Sequence, residues 1–217
     1  MKRKNIVLKA LTCSVAALAF TACTDIWDSH YEPKPELNAT ETLWDLIEAD
    51  PELSDFAAYA KATGYDELLS QNRFYTVWAP VNGSKFYQGK DLANADETTL
   101  ETYKFEFIEN HIADYNHTAS GNMPEGDDNK IKMLNGKYNL FIGSTDNYTF
   151  KNVTVSKANI TAKNGLLHKI ANNAVFTANI WEQLAKAPED SITLLNEYLK
   201  SFDEIIFDKV NSVEGPT

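Results

Sequence analysis

Apolar positions in the first folded stretch recur at helical spacing. Leu43, Leu46 and Ile47 follow Asn38-Ala39-Thr40-Glu41, whose side chains offer helix caps. The helix they predict ends near Ala49, because Pro51 cannot sit inside one. A second helix takes that proline into its first turn, presents Leu53, Phe56, Ala57 and Ala60 on one face and stops at Gly64. The pattern then changes. Phe74-Tyr75-Thr76-Val77-Trp78-Ala79 is aromatic and β-branched, a strand that Pro80 ends. A longer helix is expected from 98 to about 115, with Leu100, Lys104, Phe107, His111 and Ile112 on its inner stripe and Thr98-Thr99-Leu100-Glu101 as a capping-box-like start. The polar stretch 116–129 reads as a mobile loop. Short β runs follow at 130–134, 138–142, 148–150, 153–155, 159–162 and 166–171, separated by turns rich in Asn and Gly. Helices first and strands second, without βαβ alternation, predict an α+β fold.

The chain also resembles itself. Sliding it by 137 residues lays Leu43-Trp44-Asp45-Leu46-Ile47 on Ile180-Trp181-Glu182-Gln183-Leu184, Pro51-Glu52 on Pro188-Glu189, and Asp66-Glu67-Leu68-Leu69 on Asp203-Glu204-Ile205-Ile206. A period the size of a domain means tandem folding units, not a solenoid. The expected organisation is a folded module over 38–178 and, over 179–217, the helical start of a truncated second copy.

The N-terminus reads as an export signal. Met1-Lys2-Arg3-Lys4 is cationic, the apolar run from Ala10 to Phe20 is too short to span a bilayer, and Phe20-Thr21-Ala22-Cys23 puts small residues before a cysteine. This resembles a bacterial lipoprotein signal, with 1–22 removed and Cys23 carrying the lipid; the alternative is an ordinary signal peptide cut near Ala22. Cys13 would leave with the signal, so the mature chain would hold one cysteine, at its first position. Residues 23–37, charged and containing Pro33 and Pro35, then form an acidic tether, and the membrane is reached through the anchor alone. The net charge of −11, more negative still without Lys2, Arg3, Lys4 and Lys9, argues against nucleic acid as a partner.

Three blocks carry a family resemblance. Thr76-Val77-Trp78-Ala79-Pro80-Val81-Asn82, the helix ending in His111-Ile112, and Asn164-Gly165-Leu166-Leu167-His168-Lys169-Ile170 together resemble a fasciclin (FAS1) domain, in the form found in Bacteroidetes lipoproteins. The resemblance implies a wedge of two small β-sheets with a helical layer. It marks Thr76, Val77, Ala79, Pro80, Asn82, His111, Asn164, Gly165 and His168 as family-motif positions. Their own chemistry reads as structural: Asn164-Gly165 as positive-φ residues of a tight turn before a strand buried on one side, Asn82 as a bond to nearby backbone, His111 and His168 as hydrogen-bonded core histidines. The chain departs from the family in three places. Gly83-Ser84-Lys85 adds a residue before Phe86, Ala171-Asn172-Asn173-Ala174-Val175 replaces an acidic residue and valine, and Asn110 stands where the family has the tyrosine of a Tyr-His pair.

Signatures of catalysis are missing. The sequence has no nucleophile elbow, dinucleotide fingerprint, phosphate loop or His-Glu-x-x-His. Asp127-Asp128-Asn129 lacks the alternating ligands of a calcium loop, and His111 with His117, six apart, straddles a helix end as a candidate metal pair. No catalytic residue, metal or cofactor is expected. Six Asn-x-Ser/Thr sequons, at Asn38, Asn82, Asn116, Asn147, Asn152 and Asn159, read as polar β-rich surface. The functional expectation is a lipid-anchored module of the bacterial outer membrane, on its surface or periplasmic face, that binds protein or polysaccharide at the cell surface. The alternative is an accessory lipoprotein of an outer-membrane glycan-import assembly.

Overall fold

The computed structural model describes residues 39–145, 147–186, 194–195, 197–199 and 201–202. The expected signal, the tether and Cys23 lie outside them. The chain divides into two compact units, the boundary falling between Ala174 and Val175, four residues before the expected end of the first module.

The first unit opens with three short helices. Helix α1 (Leu43–Ala49) is capped by Thr42, which accepts from the Asp45 N–H while the Asp45 carboxylate accepts from the Thr42 N–H, so the cap lies just after the expected residues. Pro51–Leu53 is a 3₁₀ turn leading into α2 (Ser54–Ala62), and α3 (Tyr65–Ser70) starts from Gly64 in the left-handed conformation, so Gly64 links two helices where one had been expected to end.

Strand β1 (Tyr75–Pro80) follows. The long helix expected next is broken into α4 (Glu97–Tyr103), a π turn (Lys104–Ile108) and a 3₁₀ turn (Glu109–His111), after which Ile112–Asp114 is strand β2, paired antiparallel with β1. Its cap is Asp96, bonded to the Thr99 N–H, and not the expected Thr98 box. The loop expected at 116–129 holds β3 (Asn122–Met123) and a 3₁₀ turn, Asp127–Asn129. The remaining strands are β4 (Lys130–Lys132), β5 (Tyr138–Ser144), β6 (Asn147–Phe150), β7 (Val153–Ala162) and β8 (Gly165–Ile170). Two expected strands are thus one, β7, whose register slips between Val155 and Lys157 and again before Ile160. Lys151 and Asn152, at φ 47° and 65°, form the two-residue turn between β6 and β7.

The strands connect in the order β2-β1-β8-β7-β6-β5-β3, with β4 also on β5; among the described residues, only β1 and β8 pair in parallel. The two halves of the wedge join through β7. On one side of β1–β8, the helices and the 3₁₀ turn Lys85–Tyr87 pack Leu43, Ile47, Phe56, Tyr59 and Phe107 against Tyr75, Val77, Ala79 and Leu167. On the other, Trp78 and Ile170 pack against Phe141, Tyr148 and Phe150 of the second half. Both central strands are therefore buried on both faces, and β8 does not bury one side only, as its sequence had suggested.

In the second unit, α5 (Ile180–Lys186) is capped by Asn179, whose side chain accepts from the Glu182 N–H. Its Ile180 is 79% exposed, whereas Leu43, at the matching place in α1, is 0% exposed. No helix of the described residues is long and apolar enough to cross a membrane.

Candidate functional site

A helix that starts in the middle of a fold leaves backbone N–H groups without partners. Helix α2 has no cap of its own, and Asn82, just past the end of β1, supplies one: its Oδ1 accepts from the Asp55 N–H at 2.9 Å. The same amide donates to Pro51 O (2.8 Å) and Ser54 Oγ (2.9 Å), and the Asn82 N–H donates to Glu52 O. One side chain thus ties the end of the central strand to the α1–α2 corner, and both ends of the sequon amide at Asn82 are occupied.

Beside it lies a cleft of about 710 Å³ at the carboxyl ends of β1 and β8, lined among others by Pro51, Glu52, Val81, Asn82, Lys157 and Lys169. Lys169 of β8 is nearly buried and is held by two carboxylates, Asp50 and Glu52, the latter at 2.7 Å. Burial works against its charge, but bonds to Asp50 and Glu52 prevail and its pKa is raised. Burial likewise acts to raise Asp50, and the Lys169 ammonium together with the Glu52 N–H outweighs it, holding the carboxyl below its usual range. This ion triad joins residues over a hundred positions apart, and no motif announced it. An ammonium kept charged is a tie, not a nucleophile.

At the opposite ends of the same strands, Asn164 is a buried hub. Its Oδ1 accepts from the Leu43 N–H (2.7 Å), and its Nδ2 donates to Leu69 O (2.8 Å) and Gln71 O (2.7 Å), joining α1 and α3 to the start of β8. Only Gly165 of the expected pair has positive φ, 154°, and a Cβ there would lie 1.9 Å from Tyr75 O. The glycine thus allows β8 to close on β1, and the asparagine is a junction, not a turn residue. Thr76 uses its hydroxyl the same way, donating to Tyr115 O and accepting from the His117 N–H. Val77 and Ala79 pack toward the helices, and Pro80 O accepts from the Tyr87 hydroxyl.

The two motif histidines share one design. His111 Nδ1 lies 2.7 Å from Phe107 O and its Nε2 accepts from the Ala174 N–H at 2.9 Å; His168 Nε2 lies 3.0 Å from His117 O and its Nδ1 accepts from the Asn159 N–H at 3.3 Å. A ring nitrogen that accepts from an amide has no proton, so each partner fixes the neutral tautomer. Burial, partly opposed by those carbonyl bonds, depresses both to about 4. Each ring is a neutral connector between distant backbone segments, with both nitrogens occupied. That leaves His111 no lone pair for the metal role considered with His117, and among the described residues no group of three or more His, Cys, Asp or Glu could hold an ion.

Asn110 was legible only as a departure from the family pattern. Fully buried, it donates to Ala174 O and accepts from Asn139 and Asn135. Ala174 is thus held at both its N–H and its C=O, by His111 and Asn110.

Comparison with known proteins agrees with this architecture. No match is found among curated proteins. Among solved structures, one of a pair of FAS1 domains from the insect cell adhesion molecule fasciclin I superposes with a TM-score of 0.52 at 16% identity, covering 64% of this chain and 52% of that one. The chain therefore spans about half the length of that relative, and the likeness is one of fold. The family model of the fasciclin domain matches residues 51–175, more than half of the sequence, and takes in β1, His111, Asn164 and His168. The chain belongs to the fasciclin domain family.

Proposed function

We propose that this chain is a lipid-anchored module of the bacterial outer membrane that binds protein or glycan at the cell surface and works by contact, without catalysis. One observation carries the reading: the groups best suited to chemistry, His111, His168 and Lys169, are spent on holding the fold together. The leader-like N-terminus with Cys23 supports the anchor, and the acidic tether supports a domain held clear of the membrane. The solved relative is described as a cell adhesion molecule, which favours adhesion here. The self-resemblance and the uncovered Ile180 support reading 179–217 as the first helices of a second fasciclin-type module.

Two measurements test this. Mass spectrometry of the mature N-terminus should find acylated Cys23; a free N-terminus produced by ordinary signal cleavage would remove the anchor. Beads coated with the mature chain should adhere within arrays of matrix proteins and polysaccharides, and a blank on both would overturn the adhesive reading.

A further inference from the structure

We propose that a second groove, at the end of the β1–β8 pair away from the Asn82 cleft, binds a neutral oligosaccharide. The proposal deepens the adhesive reading and rests on it.

The groove measures about 490 Å³, and Thr40, Phe74, Asn116, Thr161 and Lys163 are among the residues lining it. Phe74 lies immediately before β1 and is 52% exposed; Tyr115 follows β2 and is 75% exposed. The Tyr115 N–H donates to Phe74 O at 2.9 Å, so the two aromatics continue the antiparallel β1–β2 register as neighbours. Tyr115 sits at φ 67°, left-handed backbone that bulky side chains rarely adopt. The conformation is enforced from within: the buried Thr76 hydroxyl donates to Tyr115 O at 2.7 Å and accepts from the next turn at His117 N. A strained residue that buries little of its ring gives the fold no packing in return, and such outliers gather at binding sites.

The chemistry of the groove selects a sugar. Pyranose rings present C–H faces that pack on aromatic faces, and hydroxyls that need amide and hydroxyl partners. Phe74 supplies the first from the lining itself, with the exposed Tyr115 beside it at the groove's edge through its backbone bond to Phe74; Thr40, Asn116 and Thr161 supply the second. The buried Ala162 and Leu166 also line the groove and add apolar surface beneath these polar groups. Charge narrows the choice. Arg73, beside the aromatics, is neutralised by Asp114 at 2.6 Å, Lys163 is the one charged residue among the described lining, and the chain as a whole carries −11, which repels polyanions.

The test titrates short neutral hexose and N-acetylhexosamine oligosaccharides into the full chain, followed by calorimetry, with folding of each variant checked by circular dichroism. Binding is expected, weakened roughly tenfold or more in Phe74→Ala and Tyr115→Ala and unchanged in Tyr138→Ala, which removes an exposed ring on β5. Tyr115→Gly should lose binding while melting at a higher temperature, because glycine accepts the backbone that tyrosine strains. If the coated beads adhere to proteins but the chain binds no oligosaccharide, or binds equally well without Phe74 and Tyr115, the groove proposal is overturned and the adhesive reading stands. Beads that adhere to nothing would overturn both.

Discussion

The Ser84 hydroxyl accepts the Asn173 N–H at 2.8 Å and turns its own proton toward the side-chain oxygens of Asn172 and Asn173. Those oxygens also receive the Lys85 and Phe86 N–H groups, which caps the 3₁₀ turn Lys85–Tyr87. Two of the places where this chain departs from its family, the extra residue at 83–85 and the replaced segment after Ile170, are thus one feature. Ser84→Ala or Asn173→Ala should each cost about 1–3 kcal/mol, since buried partners are left unpaired. The double mutant should fall short of the sum by about 0.5 kcal/mol or more in urea unfolding. Strict additivity would mean that the two departures are independent.

Asn164 and Gly165 support different parts of the fold. Asn164→Asp keeps an acceptor for the Leu43 N–H but cannot donate to Leu69 O and Gln71 O, and it buries a charge; Asn164→Ala abandons all three partners. Both should lose about 3–5 kcal/mol or fail to fold, as breaking buried networks does. Gly165→Ala places a methyl 1.9 Å from Tyr75 O and should be at least as damaging, through separation of β8 from β1. Thermal melts of the three variants decide; a mild Gly165→Ala would show that the β1–β8 contact can yield.

Much of the fold was legible, because local pattern and tertiary burial agree for α1, α2 and β1. They part company at 104–114. Phe107 and His111 do lie four apart on the inner side, but the helix reaches them through a π turn, and Ile112 leaves the helix to pair with Val77. A periodic stripe cannot distinguish those outcomes, since pairing with a distant strand overrides propensity. The blocks around Asn82, His111 and Asn164 were singled out by family pattern; backbone bonding was expected of Asn82 and His111, whereas Asn164 was expected in a turn and is instead a junction between α1, α3 and β8. The Lys169–Asp50–Glu52 triad and the Ser84–Asn173 link were invisible because each joins segments that only the closed sheet brings together.

Acid should loosen the domain before its carboxylates titrate. Unfolded histidine takes up a proton near pH 6.5, whereas His111 and His168 resist it until about 4. Below 6.5 the unfolded chain therefore binds protons that the folded one refuses, and stability falls between about pH 6.5 and 4, by on the order of 3 kcal/mol for each ring. Asp50, whose carboxyl is held low, adds stability that is present above the unfolded carboxylate range and lost only as the pH falls further. Urea midpoints measured down the pH scale should show this early loss in the wild type and a shallower slope in His168→Gln. A flat profile from pH 7 to 4.5 would contradict the neutral-connector assignment.

The end of the first unit gives the sharpest test of where the module stops. Ala174, the last residue of the first unit, is anchored at both backbone groups: its N–H reaches His111 and its C=O accepts from Asn110, both fully buried. Ending the chain after Ala178 keeps both bonds, so the melting temperature of the first unit should stay within a few degrees of that in the full chain. Ending it after Asn172 removes Ala174 and Asn173 together, strands the His111 ring nitrogen and the Asn110 amide in the core, and releases the Ser84 hydroxyl from its donor. The cost, about 3–5 kcal/mol or more, is a large part of the marginal stability of a domain this size. Scanning calorimetry of the two truncations separates the cases. If the shorter chain melts like the longer one, the segment after Ile170 contributes no closure; if the longer one fails to fold, residues beyond 178 belong to the first module.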